Sequence, residues 1–268
     1  MKIKSITFNK IKKLPWILKQ PLAKIPKNKF SVISDLFVWR KTNNIDTFFE
    51  ILDLPGLFHE KSSDRINNKK IMFIFNSNGE KINEVEIKSD SFERKTIKIS
   101  DYIDKKIDDS YGTFCVFHSS NPESVVKLNS FISDRGYISY KLNEDNFKSY
   151  VHGNIDAVSY DNFNLVNLGA SSLFKRNYNL QFEMFPDIFY EFFITNYSRN
   201  KKKFELIEYK NEYSTIIDKI EINPRGCGFF KYVINKKNIV RISIRSSLVM
   251  ARPLVFSFGK KSNDAFHG

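Results

Sequence analysis

The 268-residue chain reads as a mainly β protein built from two antiparallel, sandwich-like units. Three observations predict this. Short apolar-alternating runs bounded by turn residues fill most of the chain, and at least one pair of runs is joined by a strong hairpin signal. The same succession of runs then recurs after residue 170.

Residues 1–30 stand apart as a basic extended arm. Nine lysines fall within residues 1–29 with no acid, while the other 239 residues hold 34 Lys and Arg against all 30 Asp and Glu. The net charge of +13 therefore belongs mostly to the arm. A fold that binds DNA or RNA would carry its basic face on the folded body, so nucleic acid is not the expected partner. Pro15, Pro21 and Pro26 stop any long helix in the arm, and Trp16 points to docking on the body, on a neighbouring copy in a homo-oligomer or on an anionic membrane surface. Lysines interrupt its apolar residues, so it is not a secretory signal, and no later stretch has the length of a transmembrane span. Cys115 and Cys227 form no CxxC pair and read as reduced, buried thiols. Together these features predict a soluble, cytoplasmic protein.

The first β-rich unit, residues 31–150, starts with strand-like runs at 32–39, 47–54, 70–76, 82–87, 95–99 and 113–118. Phe73 and Phe75 alternate with Ile74 before Asn76-Ser77-Asn78-Gly79, a hairpin turn. The run Lys81–Lys88 alternates apolar and polar residues, as expected of an antiparallel sheet with one wet face. A helix is inserted at 122–134: Asn121 caps it, Pro122 suits its first turn, and Val125, Leu128, Phe131 and Ile132 share one face. Gly136 closes it. A shorter helix is expected over 101–106, and Tyr137–Tyr140 reads as a strand.

The second unit, residues 151–268, opens on the Asn-rich connector 154–172. Runs follow at 180–185, 189–195, 203–209, 216–222, 228–233, 240–245 and 251–258. Phe48–Ile51, Ile71–Phe75 and Val85–Ile87 line up in order with Tyr190–Ile194, Phe204–Ile207 and Ile220–Ile222. This ordering suggests a duplicated β-sandwich unit, with a single large sandwich or distorted barrel as the other architecture.

Chemistry is less legible. His118, His152 and His267 each follow a bulky apolar residue and precede a small one, so three imidazoles arrive from separate strand ends. Such a set could hold a divalent metal such as Zn, with Asp156 and Asp264 as orienting carboxylates. Against this, the spacing matches no HxH or HExxH element. GxSxG, GxGxxG and P-loop patterns are all missing, and neither thiol has a base beside it in sequence.

A second group comprises Arg135, Tyr137, Tyr140, Tyr150, Asn154 and Arg252. Aromatic faces among Asn and Arg suit stacking on a sugar, although alternating Tyr also covers sandwich cores. Arg245 and Arg252 could clamp a carboxylate or pair with surface acids. The expected function is a non-enzymatic binding or assembly protein that recognises a glycan or a protein partner. The competing expectation is a metal-dependent enzyme using His118, His152 and His267.

Overall fold

Continuous apolar runs such as Lys70–Asn76 and Tyr111–His118 make strands whose two faces are both buried, and these set the layering of the molecule. The computed structural model describes residues 24–51, 70–87, 94–104, 110–118, 126–127, 133–134, 136–142, 148–153, 157–210, 213–234, 241–250, 252–260 and 263–268. In chain order the first strands are β1 (Val32–Ser34), β2 (Phe37–Arg40), β3 (Ile45–Ile51), β4 (Lys70–Asn76), β5 (Lys81–Ile87), β6 (Lys95–Lys98) and β7 (Tyr111–His118). Then come β8 (Ser133–Asp134), β9 (Tyr137–Leu142), β10 (Lys148–His152), β11 (Val158–Asp161), β12 (Asn164–Asn167) and β13 (Ser171–Asn179). The rest are β14 (Phe189–Thr195), β15 (Lys202–Lys210), β16 (Tyr213–Ile222), β17 (Cys227–Val233), β18 (Arg241–Leu248), β19 (Leu254–Phe258) and β20 (Asn263–His267).

These strands form five four-stranded sheets, with orders β12-β11-β1-β8, β2-β7-β4-β5, β10-β9-β3-β6, β13-β18-β15-β16 and β17-β14-β19-β20. All pairings are antiparallel except that of β1 with β8. The mainly β, antiparallel character expected from the sequence holds. The arrangement does not: five four-stranded sheets, the strand and sheet count of a five-bladed β-propeller, stand in place of two sandwich units. The chain does not finish one sheet before starting the next. It alternates between sheets, and the order repeats. The sheets β2-β7-β4-β5 and β6-β3-β9-β10 have the same connectivity as β13-β18-β15-β16 and β17-β14-β19-β20. The aligned runs of the sequence fall on equivalent strands: β3 with β14, β4 with β15, β5 with β16.

Two apolar cores result, each drawing residues from before and after residue 150. Sheet β2-β7-β4-β5 lies between them. Phe73, Phe75, Cys115 and Phe117 face one core, and Met72, Ile74, Phe114 and Val116 face the other. Sheet β17-β14-β19-β20 does the same, sending Tyr190, Phe192 and Val255 one way and Phe193 and Phe256 the other. Trp39 is fully buried and its indole N–H donates to the Phe75 carbonyl at 2.8 Å. The Asn76–Gly79 turn forms as expected, with Gly79 at φ +82° and its N–H on the Asn76 carbonyl at 3.0 Å.

Further differences from the sequence reading have local causes. The 32–39 run is two strands, β1 and β2, in different sheets. The Asn-rich connector is the hairpin β11–β12, turned at Asn162 and Phe163, both at positive φ (47° and 65°). The 180–185 run is irregular, and β13 ends before it. The expected helix 122–134 lies mostly outside the described residues. Val126 and Lys127 are helical, but its predicted end, Ser133–Asp134, is β8, paired with β1. The expected 101–106 helix begins earlier, as a 3-10 turn over Ile99–Tyr102. Among the described residues no helix is long and apolar enough to cross a membrane.

Candidate functional site

Alternation along β3, β6, β9 and β10 splits the sheet β10-β9-β3-β6 into a core face and an outer face. Ile138, Tyr140, Phe49 and Val151 enter the core. The register places Tyr137 opposite His152, Ser139 opposite Tyr150 and Lys141 opposite Lys148 on the other face. Across β3 that face continues with Glu50 beside Tyr137, Phe48 beside Ser139 and Asp46 beside Lys141. Thr96 and Lys98 of β6 complete it.

Two aromatic rings stand out from this face: Tyr137 is 61% and Tyr150 55% exposed. Ser139, between them on the same face, is fully buried, and its hydroxyl has no hydrogen-bond partner among the described residues. Glu50 is held by an ion pair with Arg94. Burial, followed by a hydrogen bond to Glu50, raises the Tyr150 phenol above its ordinary value. Lys98 Nζ lies 2.9 Å from Asp46, which also accepts from Ser100 Oγ at 3.0 Å. Lys148 Nζ sits 3.9 Å above the Phe48 ring.

The sequence-derived ligand group is thereby divided. Tyr137 and Tyr150 come together. Tyr140 lies on the opposite face, 1% exposed, donating to the Val38 carbonyl at 2.6 Å and packed edge-on against Phe256. Burial pushes its phenol well above the ordinary value. Arg135 and Asn154 are outside the described residues. Arg252 lines a cavity of about 60 Å³ where the two halves of the chain meet, together with Asp35, Tyr140, His152 and His267.

The histidines divide similarly. His152 and His267 are neighbours, with ring centroids 5.1 Å apart. A carbonyl only accepts, so His267 Nε2 carries the proton it gives to the His152 carbonyl at 2.6 Å, and His152 Nδ1 carries the one it gives to the Gly153 carbonyl at 2.7 Å. Gly153 is needed there, because a Cβ would lie 1.6 Å from Asp35 Oδ2. His118 is buried at the end of β7, opposite Lys70, and does not line this cavity. Asp156 is outside the described residues, and Asp264 accepts from Ser149 Oγ at 2.6 Å. Among the described residues no group of three or more His, Cys, Asp or Glu is placed to hold a metal ion.

Cys115 and Cys227 are buried free thiols, as expected. Burial raises the Cys115 thiol far above its ordinary value, which makes it a poor nucleophile. Arg245 pairs with the buried acid Glu205 at 2.7 Å. Sequence reasoning missed Glu50, Arg94, Phe48, Ser139, Lys141 and Lys148. Only the acids Asp46 and Glu50, on the same side of β3, signalled an outer face, and nothing local tied β3 to the Tyr segment. In comparison with known proteins the chain matches no protein-family model and no curated protein.

Proposed function

We propose that this chain is a non-enzymatic binding protein that takes a saccharide on the outer face of sheet β10-β9-β3-β6. One observation carries the reading: Tyr137 and Tyr150 stand exposed on one face of adjacent strands, over the buried Ser139 and Glu50. Aromatic faces stack on the apolar faces of sugar rings, while carboxylates and hydroxyls take up sugar O–H groups.

The test is a panel of immobilised saccharides probed with the full chain, beside the Tyr137→Ala/Tyr150→Ala variant. Binding of at least one saccharide class, weakened about tenfold or more in the variant, supports the reading. Equal binding by the variant, or no binding across the panel, overturns it.

A second reading, assembly with a protein partner, is favoured by a different surface. Leu173 and Phe174 on β13, and Tyr213, Ile216 and Ile217 on β16, are all exposed. They lie on the two edge strands of the sheet β13-β18-β15-β16. Long edges with unpaired backbone groups and apolar side chains are where another chain adds a strand.

A further inference from the structure

We infer that the saccharide taken by this face is acidic, carrying carboxylates on its rings. The inference rests on the binding-face reading and specifies its ligand class. It comes from the charge left over on the outer face once internal pairs are matched. Asp46 is taken by Lys98 at 2.9 Å and Glu50 by Arg94. Lys141 and Lys148, opposite each other on β9 and β10, have no carboxylate partner among the described residues. His152 lies next along the same face of β10 beyond Tyr150.

The geometry gives each group a role. Lys148 reaches from its own row to rest its ammonium 3.9 Å over Phe48, in the row of Ser139 and Tyr150. Lys141 stands beside it. The face thus carries two lysines in and beside the row of Tyr150, with Tyr137 in the row beyond. A saccharide with one carboxylate on the lysines would lay its next ring on Tyr150.

Two features favour a saccharide over a nucleic acid, which would also stack and also bring negative charge. Glu50 and Asp46 sit on the same face, and a continuous run of phosphates would pass over both carboxylates. A sugar chain spaces its charges and can pass over those positions with uncharged groups.

The experiment is isothermal titration of the full chain with three probes of six units. These are a hyaluronan hexasaccharide, uncharged maltohexaose and single-stranded dT hexanucleotide. The same titrations are run on Lys141→Gln/Lys148→Gln, with the basic arm left intact. The expected result is hyaluronan binding at least about tenfold tighter than either other probe, with that preference lost in the variant. Maltohexaose bound as tightly as hyaluronan, with loss in Tyr137→Ala/Tyr150→Ala, overturns the acidic class and leaves the binding face standing. Equal binding of dT hexanucleotide, or hyaluronan binding unchanged in the lysine variant, places the interaction on the arm or on general charge and overturns the inference. No binding of any probe overturns it too, while the panel of other saccharides still decides the face.

Discussion

His152 and His267 close equivalent strands of the repeated sheet order, β10 and β20, and they meet ring to ring at 5.1 Å. Each is followed by a glycine, Gly153 and Gly268, and the pair seals the place where the two halves of the chain touch. Ser149 and Asp264, three residues earlier on each strand, also meet, at 2.6 Å. The repeated His-Gly of the sequence is thus the end of a repeated unit, and its two copies are in contact.

This contact predicts acid sensitivity. Burial lowers the His267 imidazole below its ordinary value, and the nearby Arg252 and His152 lower it further, against the raising effect of its carbonyl partners. Asp35 faces the same cavity. Because the folded value lies below the unfolded one, the unfolded chain takes the proton first as pH falls. Stability contributed here is present above about pH 6.5 and declines as pH drops through the folded value. Urea midpoints between pH 8 and pH 5 should fall more steeply for the native chain than for His267→Gln.

Arg40 of β2 and Glu191 of β14 form a buried ion pair at 2.5 Å, at side-chain exposures of 12% and 6%. The guanidinium also lies 4.7 Å over Phe256. Burial lowers its pKa and Glu191 opposes that shift. Arg40→Met leaves a buried carboxylate without its cation and should cost about 3–5 kcal/mol in denaturant unfolding. Arg40→Met/Glu191→Leu should recover most of the loss. Equal costs for the single and double variants would show that the pairing is not what matters.

Gly112 on β7 faces Trp39 on β2. An added Cβ would lie 2.2 Å from the Phe75 carbonyl oxygen and 2.7 Å from the indole. Gly112→Ala should therefore destabilise the fold by about 3 kcal/mol and disturb the Trp39 hydrogen bond, with a shifted tryptophan emission as the readout. A variant of native stability and emission would contradict this packing.

The open edge at β16 gives the assembly reading its own check. Ile216→Lys/Ile217→Lys charges both exposed isoleucines of that strand while leaving its pairing with β15 in place. Light scattering across a concentration series should show less self-association than for the native chain, with unfolding unchanged. Identical scattering would remove β16 as an association surface.

Strand positions were the most legible part of this molecule, because alternation such as that of Lys81–Ile87 survives any tertiary context. The repeat was legible as well, through the ordered runs on β3, β4 and β5 and on β14, β15 and β16. The sheet count was not. Phe73 and Phe75 on one face of β4 and Met72 and Ile74 on the other show a doubly buried strand, but the five-residue apolar run Ile71–Phe75 does not say what covers each face. The Asn162-Phe163 turn was hidden by its Phe, a residue seldom found at positive φ. The candidate face was half visible. Proximity in sequence groups Tyr137 with Tyr150 but also includes Tyr140, which strand parity sends to the core. Glu50 and Phe48 joined only through the register of β3 with β9, a long-range pairing with no local signal.

The most direct test of the binding face uses ring-labelled tyrosine. The chain has 12 tyrosines, so their resonances can be followed individually by NMR during titration with a bound saccharide. The account predicts shifts concentrated on Tyr137 and Tyr150, with buried Tyr140 and the β16 edge residue Tyr213 unmoved. Shifts centred on Tyr213, or none at the two outer-face rings at saturation, would contradict it.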